Sequence, residues 1–274
     1  MRQVYESDIL LPVKQQKVRK LNQLQQLIPE GSFASVAWLA KHGYSTSRLA
    51  RYAASGWLES PARGVYRRPG SPLKWQQVVV SLDRELAPPP HVGGLSALEL
   101  RGYAHFLKPR GPGTIHLYSN EPLRGWVGKL SFKERFVEHR NRLFAPGVSA
   151  LVSEPWGPRD EPLFYSLPER AMLEFLDGVP VEQSLEHAAL LMEGLVDLSS
   201  KRVMELLVSC RSVKVKRLFL ALASRHSFQW VKPVLAAADE GKVNLGKGKR
   251  SLVRGGKLHP KYLITVPETS DVRG

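Results

Sequence analysis

A single cysteine, Cys210, stands in a chain of 274 residues, so no intramolecular disulfide can form and no cysteine-based zinc set can be assembled. It lies in the apolar stretch VMELLVSC, where a buried, inert thiol is expected. Long apolar runs are missing too. Nothing approaches the roughly 18 residues of a membrane span. The N-terminus, MRQVYESDILLPVKQQKVRK, has neither the apolar stretch nor the cleavage site of a secretion signal. These absences predict a cytoplasmic protein without a membrane partner. Catalytic signatures are equally scarce. There is no G-x-S-x-G, no Asp…Glu-x-Lys nuclease pattern and no helix with His and Glu at zinc spacing. The adjacent acids Asp160–Glu161 and Asp239–Glu240 read as solvated turns. His91, His105, His116 and His139 fall on different predicted elements without ligand spacing, and read as structural or surface groups. No enzyme activity, metal or cofactor is expected. Gly241-x-x-x-x-Gly246-Lys247 begins like a phosphate loop. However, Gly248 stands where Ser or Thr should hold magnesium, and no helix follows.

Acids are the scarce charge. Lys and Arg number 40 against 25 Asp and Glu, a net charge of +15, which points to a polyanionic partner. The excess is blocked. Residues 1–70 carry 11 Lys and Arg against 4 acids, residues 71–200 carry 13 against 16, and residues 201–262 carry 15 against 3. Two basic footprints flank a mildly acidic middle.

The first block has helical periodicity. QKVRKLNQLQQLI spaces Val18, Leu21, Leu24, Leu27 and Ile28 at helical intervals and stops at Pro29-Glu30-Gly31. Ser32 is the expected cap of a second helix, FASVAWLAKHG, ended by Gly43. Ser45 caps a third, TSRLARYAAS, ended by Gly56. A short link between the last two is the helix-turn-helix pattern. The third helix offers Ser45, Thr46, Ser47 and Arg48 at its start and Arg51 and Tyr52 one turn on, with Leu49, Ala50 and Ala53 facing inward. Hydroxyls and Arg there suit phosphate and base-edge contacts. GWLESPARGVYRRPG then predicts a basic hairpin, a wing carrying Arg63, Arg67 and Arg68.

Beyond a helix over SPLKWQQVVVSLDREL, the run Pro88-Pro89-Pro90 is the strongest linker signal. A short helix opens at Ser96 and Ala97 and ends at Gly102. Thr114–Ser119 reads as a strand, to which part of WVGKLSFKERFVEHRNRLF can pair. Ser166 and Glu169 form the pattern of a capping box. Helices follow in VEQSLEHAALLMEGLVDL, SKRVMELLVSC and VKVKRLFLALASRH. The tail, NLGKGKRSLVRGGKLHPKYLITVP, holds Lys247, Lys249, Arg250, Arg254, Lys257 and Lys261 and no acid, and Gly255-Gly256 reads as the join of a hairpin. Lys214, Lys216, Arg217, Lys247, Lys249 and Arg250 are expected to form one continuous basic surface. The alternative for the hairpin is a solvated edge whose lysines prevent strand-on-strand aggregation.

The order of GWLESPARGVYRRPG, GGLSALELRGYAHF, SLPERAMLEFLDG, CRSVKVKRLFLALASRH and NLGKGKRSLVRGGKLHPKYLITVP resembles the AbiEi family, the antitoxins and transcriptional regulators of abortive-infection toxin–antitoxin operons. The resemblance implies an N-terminal winged helix that represses its own promoter through inverted repeats in double-stranded DNA. It also implies a C-terminal domain that counters a cognate nucleotidyltransferase toxin without needing a stable complex. No catalytic motif is carried over. The expected fold is α+β: a winged helix-turn-helix domain at 1–90 and, at 91–270, an antitoxin domain of helices plus a small sheet. The alternatives are an RNA-binding or adaptor protein acting through the basic tail, and a nuclease or nucleotide-dependent enzyme, which the missing acid–metal constellation disfavours.

Overall fold

The structure, a computed structural model, describes residues 13–70, 72–103, 113–252 and 256–266. It is mixed α/β, with ten helices and three small sheets among the described residues. The chain divides into two compact units, Met1–Ser81 with Gly125–Ser131, and Leu82–Arg124 with Phe132–Gly274. The proline run at 88–90 lies just past the first border.

In the first unit, α1 (Val13–Leu27), α2 (Val36–Lys41) and α3 (Thr46–Ala54) surround a small apolar core of Leu24, Ile28, Ala34, Leu39, Tyr44, Leu49 and Leu58. Ser45 caps α3 by accepting from the Arg48 N–H. Gly43, at φ +80°, makes the tight reversal between α2 and α3, a backbone region that side chains with a Cβ seldom enter. The buried Tyr44 that follows donates its hydroxyl to Lys20 O at 3.0 Å, pinning the turn to α1. The second helix starts later than its sequence predicts. Ser35, not Ser32, is the cap, because Phe33–Ser35 is a strand, β1. It is drawn out of the helix by pairing antiparallel with β3 (Val65–Arg67), Phe33 opposite Arg67 and Ser35 opposite Val65. The buried Phe33 ring also stacks on Trp126 at 5.6 Å, and its N–H donates to Ser81 Oγ. β2 (Glu59–Ala62) completes the sheet in the order β1-β3-β2.

The second unit is built on a five-stranded sheet of β4 (His91–Val92), β5 (Thr114–Ser119), β6 (Arg135–Arg140), β7 (Leu151–Trp156) and β8 (Glu161–Ser166), in the order β6-β5-β4-β8-β7. β5 and β6 run parallel, as do β4 and β8; the other pairs are antiparallel. Two-residue β4 is central yet too short to leave an alternation signal. The helix α6 (Pro168–Asp177) is buried from Glu169 to Leu176. It packs against α5 (Gly94–Leu100), α7 (Leu185–Gly194), α8 (Ser200–Ser209) and α9 (Val213–Ala223), while α10 (Val231–Asp239) packs on α8. The capping box expected of Ser166 and Glu169 does not form: the N-cap position is Leu167, without a side-chain cap. Tertiary partners claim both side chains. Glu169 accepts from the Ser199 N–H and from Arg202, and Ser166 donates to Glu174.

Glu174 is the hub of this unit. Its carboxylate accepts from Arg170 Nε at 2.7 Å, Ser166 Oγ at 2.7 Å, the Gly94 N–H at 3.0 Å and the His91 Nε2–H at 3.0 Å. A Cβ on Gly93 would sit 2.2 Å from Glu174 Oε2, so the close approach needs glycine. Arg170 goes on to Ser149 O and Asn141 Oδ1 and stacks on the Phe144 ring. Burial by itself would raise the Glu174 carboxyl; His91, Arg170 and Ser166 reverse this and hold it at about 2. Burial also pushes the His91 ring below its ordinary value, against the pull of Glu174, so the ring stays neutral and donates.

A folded-state value below the ordinary 4.5 means that the charged carboxylate stabilises the fold fully above about pH 4.5 and that this contribution is lost as pH falls toward 2. Glu174→Gln is expected to cost about 3–5 kcal/mol near neutral pH, because Arg170 is left as an uncompensated buried charge. Urea denaturation at pH 7 and pH 3 checks this, with the gap between wild type and variant shrinking at the lower pH.

Candidate nucleic-acid interface and basic surface

Helix α3 turns its apolar stripe inward through Leu49, which is fully buried, while Thr46, Ser47, Ala50 and Arg51 are exposed. Ala50 was expected to face inward; it lies instead in the middle of the exposed stripe, where its small side chain leaves the helix surface low. Ser45 is exposed but occupied, capping the helix and lying 3.2 Å from Ser47 Oγ. Arg48 is half-buried, its guanidinium near Gly43 O at 3.5 Å. Tyr52 is half-buried against the apolar core. The helix therefore presents short hydroxyls, one small residue and one exposed arginine along a single face.

The wing arginines part ways. Arg63 is exposed at the turn between β2 and β3. Arg67 is 8% exposed and bonds Glu59 Oε2 through Nε at 2.5 Å. Arg68 donates to Gln25 O at 3.1 Å and Ile28 O at 3.5 Å, closing the C-terminal end of α1. The expectation that all three arginines reach outward is corrected for these two. Alternation in the strand turns Arg67 inward, and the open carbonyls at the helix end draw Arg68 into the unit.

The basic residues of the second unit also separate into two kinds. Lys247, Lys249 and Arg250 are exposed. Arg217, 2% exposed, is fully used inside: it donates to Leu245 O, Gly246 O, Gly248 O and Leu263 O at 2.7–3.2 Å. Lys214 gives its amine to Asp177 O and Val179 O at 2.5 and 2.8 Å. Lys216 is 5% exposed. The six cations thus do not make one continuous exposed surface. Three are presented, and Arg217 fixes the backbone that presents them, a role invisible in a list of charges. Arg250–Ser251 is a short strand, β9, running parallel to β11 (Ile264–Val266), which pairs antiparallel with β10 (Lys257–Leu258). The tail strands therefore meet through β11 and not as a simple β9–β10 hairpin. Arg254 and Gly255 lie outside the described residues.

Three of the paired acids are engaged with cations: Glu161 with Arg84, Asp239 with Lys261 and Glu240 with Lys242. His116 Nδ1 and His139 Nε2 lie 2.8 Å apart, and His139 stacks on Tyr118. Burial, and then His139, push His116 down to about 4, and burial also lowers His139, so one neutral ring donates to the other. His105 lies outside the described residues. No group of three or more metal-ligating side chains occurs among the described residues, and none of their helices is long and apolar enough to cross a membrane.

Comparison with known proteins decides the family. Residues 17–109 match the model of the AbiEi antitoxin N-terminal domain, described as a transcriptional regulator, and residues 113–267 match that of the AbiEi antitoxin transcriptional regulator of type IV toxin–antitoxin systems. The chain belongs to the AbiEi antitoxin family. A search of curated proteins finds no match. Among solved structures, the crystal structure of the RV2827C protein from Mycobacterium tuberculosis is similar in fold, with a TM-score of 0.50 at 18% identity, over 91% of this chain and 90% of that one.

Arg217→Met is expected to cost about 3 kcal/mol or more, since it strands several carbonyls in the interior. Hydrogen exchange should show faster amides from Leu245 to Arg250, while α3 in the other unit is unchanged.

Proposed function

We propose that this AbiEi family member is a cytoplasmic, non-enzymatic autorepressor and antitoxin. The first unit acts as a winged helix-turn-helix on promoter inverted repeats, and the second counters a cognate nucleotidyltransferase toxin. The observation that carries the DNA reading is the exposed face of α3, Thr46, Ser47, Ala50 and Arg51, on a helix capped at Ser45 and followed by a hairpin with Arg63 at its tip. An α-helix fits the major groove, and an arginine there can read a guanine through two hydrogen bonds. Arg48 is the neighbouring contact and Arg63 the backbone or minor-groove contact. Tyr52, Arg67 and Arg68 support the fold of the reading surface. In the second unit, Lys247, Lys249 and Arg250 serve antitoxin activity.

Arg51→Ala should weaken binding to the chain's own promoter by about 1–3 kcal/mol and relax preference at one base pair. Arg63→Ala should weaken all sequences alike and reduce the slope of log K against log salt by about one ion. Mobility shifts over a salt series measure both, and wild-type affinity in both variants would remove this face from the interface.

Charge reversal of Lys247, Lys249 and Arg250 to Glu should leave repression intact while cells lose protection from the toxin. A folded triple variant that still protects assigns these residues to guarding a strand edge.

A further inference from the structure

Arg217 draws three carbonyls of one loop to a single guanidinium. Its Nε–H donates to Leu245 O at 2.8 Å, Nη1 to Gly248 O at 2.7 Å and Nη2 to Gly246 O at 3.2 Å. In a planar trans peptide the C=O and the N–H of the following residue point opposite ways. The N–H groups of Gly246, Lys247 and Lys249 are therefore all turned away from the guanidinium. Gly246 gives its N–H to Asn244 Oδ1 at 2.9 Å. Those of Lys247 and Lys249 find no acceptor among the described residues. The backbone angles agree: φ is +65° at Gly246 and +76° at Gly248 and is not positive at Leu245, Lys247 or Lys249. Alternation of this kind sets successive amides on one side of the chain, the arrangement that cradles anions. Glycine takes the positive positions without strain. Strand β9 follows the loop, so it is an anion cradle of a different build from the nucleotide loop that opens a helix.

The charge around this loop is of one sign. Lys247, Lys249 and Arg250 are exposed and form no ion pair among the described residues, and residues 241–266 contain no acid. Arg217 beneath them bonds carbonyls and no carboxylate. Burial, and then the nearby Arg250 charge, lower its guanidinium below the ordinary value. A buried positive charge is costly without a counter-charge, and the cations gathered here repel one another. An anion seated on the amide side relieves both.

We propose that residues 245–250 form a binding site for a phosphate group, with the Lys247 and Lys249 amides as directional donors and the Lys247, Lys249 and Arg250 side chains as its charge. Arg217, from below, holds the backbone in the shape that points the amides outward. Phosphate has several oxygens to share between two amides and the flanking cations. Its source is either the backbone of a nucleic acid or a small phosphorylated compound, and the loop is exposed enough to admit both. The proposal deepens the reading of these three residues as the second unit's working surface, on which its biological meaning rests, by naming what they hold. Its test involves neither toxin nor promoter, so failure of the site and failure of the antitoxin assignment are separate results.

The test follows the amide resonances of the full-length protein. Sodium phosphate is titrated in at constant ionic strength, with sodium chloride making up the balance, and a single-stranded oligonucleotide with a 5′-hydroxyl, which carries diesters alone, is titrated separately. The Lys247 and Lys249 amides of wild type should move downfield and saturate. Gly248→Ala keeps every charge but disfavours the backbone shape, and should bind roughly tenfold more weakly, the loss of one charge-assisted contact. Gly157→Ala imposes the same strain in the β7–β8 turn, where φ is also +76° and a Cβ likewise meets nothing within 4 Å, and should bind as wild type does. Shifts from the oligonucleotide assign the phosphate source to a nucleic-acid backbone, and shifts from free phosphate alone assign it to a small phosphorylated compound. Amides that neither probe moves, a shift that chloride reproduces, unchanged affinity in Gly248→Ala, or an equal loss in Gly157→Ala each overturns the site.

Discussion

Four elements of the larger unit meet at one carboxylate. Glu174, on α6, accepts hydrogen bonds from His91 on β4, from Gly94 at the start of α5, from Ser166 at the end of β8 and from Arg170 one turn back on its own helix. Each donor is buried, so each would carry a desolvation cost if the carboxylate moved or took up a proton. The arrangement sets where the helices sit against the sheet. Arg170 extends it to the segment around Ser149 and to Asn141. Apolar packing then fills the rest of the unit, from Leu173 and Phe175 to Phe219 and Trp230. A hydrophobic contact can slide by an ångström at little cost, whereas this network fixes direction.

Positive charge does two different jobs in this protein. Arg68 closes the end of α1, Arg217 gathers four carbonyls, and Arg170 neutralises Glu174. The planar guanidinium with its five N–H donors suits such work better than an ammonium does. The exposed cations, Arg51, Arg63, Lys247, Lys249 and Arg250, are available to an anionic partner. A net charge of +15 therefore overstates the electrostatic footprint as a contact surface, although every charge still contributes to the long-range field. The small unit offers an exposed helix face, and the larger one has a buried arginine that shapes a basic loop.

Much of the fold was legible from local pattern. Ser45 and Gly56 bracket α3, the alternation from Thr114 to Ser119 is β5, and the apolar periodicity of residues 185–223 is α7 to α9. These signals are local because a cap, a pleat or an amphipathic turn is satisfied within a few residues. Other features were not legible. Nothing near Phe33 announces a strand, since its reasons are β3, Trp126 and Ser81. Ser166 and Glu169 have the spacing of a capping box, but partners distant in sequence bind both side chains more profitably. Of the candidate site residues, the exposure of the α3 hydroxyls, Arg51 and Arg63 could be read from a helix start and a turn. The inward fate of Arg67, Arg68, Lys216 and Arg217 could not.

By itself, then, the sequence determined the order of most elements, the basic character of both ends and the family resemblance, because composition, capping and periodicity act over short stretches of chain. Only the tertiary structure decided which arginines and lysines are exposed. A guanidinium settles wherever open carbonyls or a carboxylate are brought to it, and those of Gln25, Ile28, Leu245 and Leu263 are placed by folding, up to 46 residues away in the chain from the side chains they hold.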